Sequence, residues 1–120
     1  MSRVRELQIR RESLSGRRAL LALEGRLDTL TALELKEEIR ERVEAGQAQL
    51  IVDLSGVPFI DSSGLAALVS GLKATRQAGG ALKLVGLNEQ ARTVLRLTKL
   101  DRIFALYPDR AAAEAALPDL

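Results

Sequence analysis

Residues 50–73 read LIVDLSGVPFIDSSGLAALVSGLK, and this stretch decides the fold. It opens with LIVDL, an apolar run without alternation, which is typical of a central strand covered on both faces. A short loop with a proline follows, and apolar residues then recur at the spacing of a helix that ends at Gly79 and Gly80. Those apolar residues are Leu65, Leu68, Val69 and Leu72. A buried strand joined to an amphipathic helix predicts a βα unit of a parallel sheet.

Two strands and a helix are predicted upstream of this unit. Residues 3–13 and 17–27 alternate apolar and polar side chains, and the LSG between them is typical of a hairpin turn. Residues 30–46 carry a helical apolar stripe, and Thr31 and Glu34 have the spacing of a capping box. The stripe consists of Ala32, Leu35, Ile39 and Val43. The chain is therefore expected to begin with an antiparallel hairpin.

The rest of the chain is predicted to form a strand, a helix, a short strand and a last helix, which Asp109 caps and Pro118 ends. The corresponding ranges are 81–86, 88–100, 103–107 and 109–117. The element order is β-β-α-β-α-β-α-β-α, in which the βα units demand parallel pairing. We therefore expect an α/β fold with a mixed sheet, about four helices packed on it, and one domain over residues 1–120.

Composition restricts the function. The chain has no Cys and no His, which excludes thiolate catalysis, a Cys/His zinc site and a Ser-His-Asp triad. Aromatic residues make up only 2% and the net charge is +2, so we expect no direct binding to nucleic acid. No apolar run has the length of a signal peptide core or a membrane span. These features indicate a cytoplasmic protein without a cofactor or a metal.

The tetrapeptide DSSG, residues 61–64, lies where the helix of the central βα unit begins. Its simplest role is to cap the helix, through Asp61 or a serine, which is worth about 1 kcal/mol. A nucleophilic serine lacks a base, since Lys73 lies about three helical turns from Ser62 and the G-x-S-x-G pattern is absent. A phosphate-binding loop also fails, because Lys73 neither follows Gly71 directly nor precedes a Ser or Thr.

A third role for DSSG is to accept a phosphoryl group from a separate kinase. Such a site needs an exposed hydroxyl and small neighbours, which Ser62 and the residues around it supply. A phosphate would add a charge of about −1.5 to −2 at a helix N-terminus, where the helix dipole and the free amides favour it. Modification would then change the surface without unfolding the domain.

Three segments together resemble the STAS domain family, and within it the bacterial anti-sigma factor antagonists. They are GRLD at 25–28, within LALEGRLDTLTALELKEEI, then DLSGVPFIDSSG at 53–64, and LKLVG at 82–86. The resemblance covers nearly the whole chain. It implies a STAS-type mixed sheet and a regulatory binding module, which is not an enzyme.

The resemblance also implies a partner and a switch. In this family the first serine of DSSG, here Ser62, is phosphorylated by an anti-sigma factor that is a serine kinase. The unphosphorylated antagonist binds that anti-sigma factor and frees a sigma factor, and a PP2C-type phosphatase restores the active form. By position, Asp61, Ser63 and Gly64 frame the phosphorylation site, and Asp28 lies in a loop that the fold brings near it.

A flat helix face beside the serine is the expected docking surface. Ala66, Ala67 and Ser70 are small residues between the apolar positions of the helix, and we expect Ala67 and Ser70 to contact the partner. An alternative function is that of a STAS accessory subunit in a stable complex, such as a lipid-transport ABC system or a stressosome. A nucleotide-binding STAS domain is a further alternative, which no phosphate loop supports.

Overall fold

The computed structural model describes residues 7–117 as a five-stranded sheet with four α-helices. The strands are β1 (Leu7–Ser13), β2 (Arg18–Gly25), β3 (Gln49–Gly56), β4 (Ala81–Val85) and β5 (Ala105–Tyr107). The helices are α1 (Ala32–Glu44), α2 (Ser62–Gln77), α3 (Glu89–Leu97) and α4 (Arg110–Ala116), and a short 3-10 helix, Leu100–Arg102, follows α3. Each predicted element is present in the predicted order.

The sheet is mixed, as predicted. Its strands lie in the order β1-β2-β3-β4-β5, with β1 antiparallel to β2 and the remaining pairs parallel. The central strand β3 has six consecutive buried residues, which explains its apolar run without alternation. Because β2 to β5 are parallel, their carboxyl ends meet at one edge of the sheet, and α2 and α3 begin there.

Helices cover both faces of the sheet. The helices α1, α2 and α3 form the larger core with one face, to which β2 contributes Leu21 and Leu23. The helix α4 covers the other face, where Leu20 and Ala22 of β2 pack against its Ala113. The alternation along β2 therefore divides its side chains between two cores, and the site described below lies where the larger core meets the carboxyl edge.

The capping box predicted at the start of α1 is absent. Thr31 precedes α1, but its hydroxyl donates to the Arg26 carbonyl at 2.8 Å and accepts from the Asp28 amide at 3.0 Å. The hydroxyl is thus committed to the loop before the helix, and only the Thr31 backbone carbonyl binds the Glu34 amide.

Two sequence predictions fall outside the described residues. They are the first residues of the opening strand, 3–6, and the helix end at Pro118. Within 7–117, no helix is both long enough and apolar enough to cross a lipid bilayer.

Candidate functional site

The cap of α2 is an aspartate rather than a serine. Asp61 has an extended backbone, and its carboxylate accepts a hydrogen bond from the Gly64 amide at 3.0 Å. The Asp61 carbonyl accepts the first helical bond, from the Leu65 amide at 3.0 Å. Ser62 and Ser63 consequently occupy the first two positions of the helix, and neither hydroxyl is needed to cap it.

The two serines have different surroundings. The Ser63 hydroxyl is half-buried and lies 3.1 Å from the Thr29 hydroxyl, which also lies 3.5 Å from the Asp61 carboxylate. The Ser62 side chain is exposed, and its hydroxyl has no hydrogen-bond partner among residues 7–117. An incoming protein can therefore reach Ser62, whereas Ser63 is held against the loop that carries Thr29.

The loop before α1 is bound directly to the segment before α2. The Leu27 amide donates to the Phe59 carbonyl at 3.1 Å, and the Asp61 amide donates to the Leu27 carbonyl at 3.2 Å. This parallel bridge confirms that the fold brings GRLD beside DSSG. Gly64 packs on the same loop, since a Cβ atom there would lie 2.5 Å from the Leu27 carbonyl oxygen. Gly64 is thus required for close approach and is not a flexible residue.

Asp28 provides a fixed negative charge in this loop. Burial opposes its ionisation, but hydrogen bonds from the Arg26 guanidinium, the Leu30 amide and the Thr31 hydroxyl outweigh burial and hold the pKa of Asp28 below its ordinary value. The Arg26 Nε atom lies 3.1 Å from the carboxylate, and its guanidinium stacks 4.6 Å above the centre of the Phe59 ring. The loop and the segment before α2 therefore share side-chain as well as backbone contacts.

The start of α3 supports the site from the other side. The Gln90 side-chain amide binds both backbone groups of Ile60, accepting from its amide at 3.0 Å and donating to its carbonyl at 2.9 Å. Asn88 caps α3 and also donates to the Pro58 carbonyl at 3.1 Å. These two residues were missed from the sequence. Asn88 had the signal of a residue type that favours helix starts, but Gln90 had none, because a polar residue in a first helical turn is ordinary.

The expected docking face requires one correction. Ala67 is 0% exposed, so it does not lie on the surface of α2. Gly64, Ala67 and Gly71 share one side of the helix, and a Cβ atom on Gly71 would lie 2.6 Å from Ile39 of α1. Small residues on this side allow a close approach of α2 to its neighbours. Ser70, by contrast, is half-buried and lines an open groove between α1 and α2.

The Ser62 hydroxyl is the group that this site leaves accessible. The Asp61 carboxylate is committed to its helix cap, and the 7–117 region holds no cluster of three or more carboxylates that could bind a metal ion. What remains is an exposed hydroxyl at the positive end of a 16-residue helix. Such a hydroxyl can accept a phosphoryl group from an external donor.

Comparison with known proteins agrees with this architecture. The profile of the STAS domain family matches residues 11–113. The anti-sigma-F factor antagonist RsfB of Mycobacterium tuberculosis is 33% identical over 91 residues, which cover 74% of this chain and 72% of RsfB. The crystal structure of an anti-sigma factor antagonist from Mycobacterium paratuberculosis superposes with a TM-score of 0.83 at 29% identity, covering 92% of this chain and 93% of the other.

More distant structures share the fold. SpoIIAA, described as a Bacillus cell fate determinant and anti-sigma factor antagonist, superposes with a TM-score of 0.71 in both its unphosphorylated and its phosphorylated form. The identities are 14% and 17%, each structure covers 91% of this chain, and the match spans 96% and 99% of the SpoIIAA chains. With the family profile matching most of its residues, this chain belongs to the STAS domain family.

Proposed function

We propose that this chain is an anti-sigma factor antagonist and that Ser62 is its switch. In the unphosphorylated form it binds an anti-sigma factor that is a serine kinase, and the bound sigma factor is released. The anti-sigma factor then phosphorylates Ser62, which ends the binding, and a PP2C-type phosphatase restores the active form. The observation that carries this proposal is the exposed, unpartnered Ser62 hydroxyl in a chain whose relatives are named anti-sigma factor antagonists.

The kinase modifies Ser62 rather than Ser63 because the Ser62 hydroxyl is the one that it can reach. The Ser63 hydroxyl shares a hydrogen bond with Thr29, so its modification would break that contact and push the loop away from the helix. The Ser62 hydroxyl needs no such rearrangement, and it lies where a kinase can approach from solvent. The reaction forms the bond between Ser62 Oγ and the γ-phosphorus of ATP and breaks the bond to ADP. The kinase removes the hydroxyl proton.

A phosphate on Ser62 is compatible with the folded domain. The amides of Ser62 and Ser63 have no acceptor within residues 7–117, so they remain available to the phosphate oxygens at the positive end of α2. The fold of SpoIIAA is likewise retained in its phosphorylated form. Phosphorylation is therefore expected to act on binding, with little effect on stability.

The same phosphate changes the surface that the partner meets. It adds about −1.5 to −2 charge beside the carboxylates of Asp28 and Asp61, of which Asp28 is held ionised by its loop. If the partner presents an acidic side chain to this surface, the phosphate places a like charge opposite it, which costs several kcal/mol and corresponds to a loss of affinity of about a hundred-fold or more. The switch consequently needs no change in the backbone.

Binding of the two forms to the same anti-sigma factor tests this proposal. We expect unphosphorylated protein and the Ser62→Ala variant to bind and to release a sigma factor, and phosphorylated protein or Ser62→Glu to bind much more weakly. The Ser63→Ala variant is the matched control and should behave as the unmodified protein. Stable association with an ABC-type ATPase or a large assembly that is insensitive to Ser62→Glu would instead favour the accessory-subunit alternative.

A further inference from the structure

We propose that a pair of exposed leucines, Leu30 and Leu33, is the apolar anchor by which the anti-sigma factor binds beside Ser62. Their exposed fractions are 73% and 61%, although leucine is a residue that proteins normally bury. Leu30 lies in the loop before α1 and Leu33 in α1, whereas the predicted docking face lies on α2. The inference rests on the proposed function and names the residues that the anti-sigma factor would contact.

The leucine pair lies next to the phosphoacceptor through contacts of the loop. Thr29 lies 3.1 Å from Ser63 through the two hydroxyl oxygens, and Leu30 follows Thr29 directly in the chain. Consecutive Cα atoms are about 3.8 Å apart, so the Leu30 backbone lies directly beside the residue whose hydroxyl contacts Ser63. Leu33 is three residues further, in the first turn of α1.

An interface of ordinary size that is centred on Ser62 would include both leucines. A stable protein–protein complex buries about 800 Å² on each partner, which corresponds to a disc of about 16 Å in radius. A kinase that reaches Ser62 must centre its contact near that hydroxyl, and the leucine pair lies inside such a disc. Single exposed leucines on a protein surface are ordinary, but two within one turn beside the reactive group supply the buried apolar centre that interfaces need.

A groove extends this apolar surface along α2. It has a volume of about 310 Å³, and it is lined by Leu33, Ile39, Ser70, Gly71 and Ala74 together with the charged residues Lys36, Glu37 and Arg40. Apolar side chains beside charges of both signs are the residue types that the core and the polar rim of a protein interface combine. The partner is therefore expected to bring one apolar side chain into the groove and a pocket that encloses the leucines.

The experiment uses the full chain with both leucines changed, Leu30→Gln and Leu33→Gln, and titrates it against each anti-sigma factor encoded in the same genome. We expect affinity to fall about ten- to a hundred-fold, since two exposed leucines lose their burial on binding. With the kinase, the KM for this variant as substrate rises while kcat stays unchanged. Leu97→Gln is the matched control, because Leu97 is 76% exposed at the far end of α3.

The outcomes separate this inference from the proposed function. If the unmodified protein binds an anti-sigma factor and the double variant binds equally well, the anchor is refuted and the proposed function stands. If the unmodified protein binds none of them, both fail. Sedimentation of the free protein completes the test, since dimers that the double variant abolishes would show that the leucines serve self-association instead. The double variant should unfold at the same urea concentration as the unmodified protein.

Discussion

Replacing Gly64 by alanine tests why the DSSG motif ends in glycine. If Gly64 were a flexible residue in open space, alanine would stabilise the helix by up to about 1 kcal/mol through its higher helix propensity. The structure predicts the opposite sign. A Cβ atom at this position would lie 2.5 Å from the Leu27 carbonyl oxygen and 2.8 Å from the Leu27 Cγ atom.

The expected magnitude follows from what would have to move. Overfilling a packed site costs about 1–3 kcal/mol. The Leu27 carbonyl cannot retreat freely because it accepts the Asp61 amide, and weakening that bond costs about 1 kcal/mol more. After the gain in helix propensity of up to about 1 kcal/mol is subtracted, Gly64→Ala should lower the free energy of unfolding by about 1–3 kcal/mol.

Urea unfolding at constant m-value measures this difference. Gly71→Ala in the same helix is the comparison, because the groups facing its Cβ atom are the terminal methyls of Ile39 and Leu82, which can rotate away. It should therefore cost less than Gly64→Ala. A folded Gly64→Ala variant as stable as the unmodified protein, or more stable, would refute the close approach of α2 to the GRLD loop.

Three further changes probe the surroundings of the site. Gln90→Ala should cost about 1–3 kcal/mol in urea unfolding and speed hydrogen exchange of the Ile60 amide, because two backbone groups lose their partner. Burial opposes ionisation of Asp53, but its hydrogen bonds, including one from Arg110, outweigh burial and hold its pKa below the ordinary value. The ionised Asp53 carboxylate therefore stabilises the fold above the unfolded pKa of about 3.9. This stabilisation is lost as pH falls through the lower pKa of the folded state. Asp53→Asn should therefore destabilise at pH 7, and its deficit should shrink in urea titrations at falling pH; a constant deficit would contradict this. Asp61→Ala should cost about 1 kcal/mol by thermal unfolding through loss of the helix cap, and no cost would mean that a serine replaces it.

The sequence was sufficient for the order of the elements and the type of sheet. The elements were predictable because their signals are local. The run LIVDL marks a buried strand, the helical apolar spacing after Ser62 marks α2, and the glycines after α2 mark its end, each within a few residues of chain. The adjacency of GRLD and DSSG came from the family resemblance. The structure supplies its physical cause, the hydrogen bonds between Leu27 and the segment before α2.

Contacts between distant segments explain what the sequence missed. Ala67 has the local spacing of a helix residue between apolar positions, but it is buried, on the side of α2 where Gly71 faces Ile39 of α1. Thr31 has the spacing of a capping box, but its hydroxyl is bound to the Arg26 carbonyl in the preceding loop. The two bonds of Gln90 to Ile60 join residues 30 positions apart, and no periodicity reveals such a pair. The exposure of Leu30 is similar, because only the folded chain shows that no neighbour covers it.

Mapping the phosphorylated residue tests the central claim most directly. The protein is incubated with its anti-sigma factor and ATP, and the phosphate is located by tandem mass spectrometry. We predict one phosphoryl group on Ser62 in the unmodified protein and in Ser63→Ala, and none in Ser62→Ala. A phosphate on Ser63 or Thr29, or one that persists in Ser62→Ala, would contradict the assignment of Ser62 as the switch.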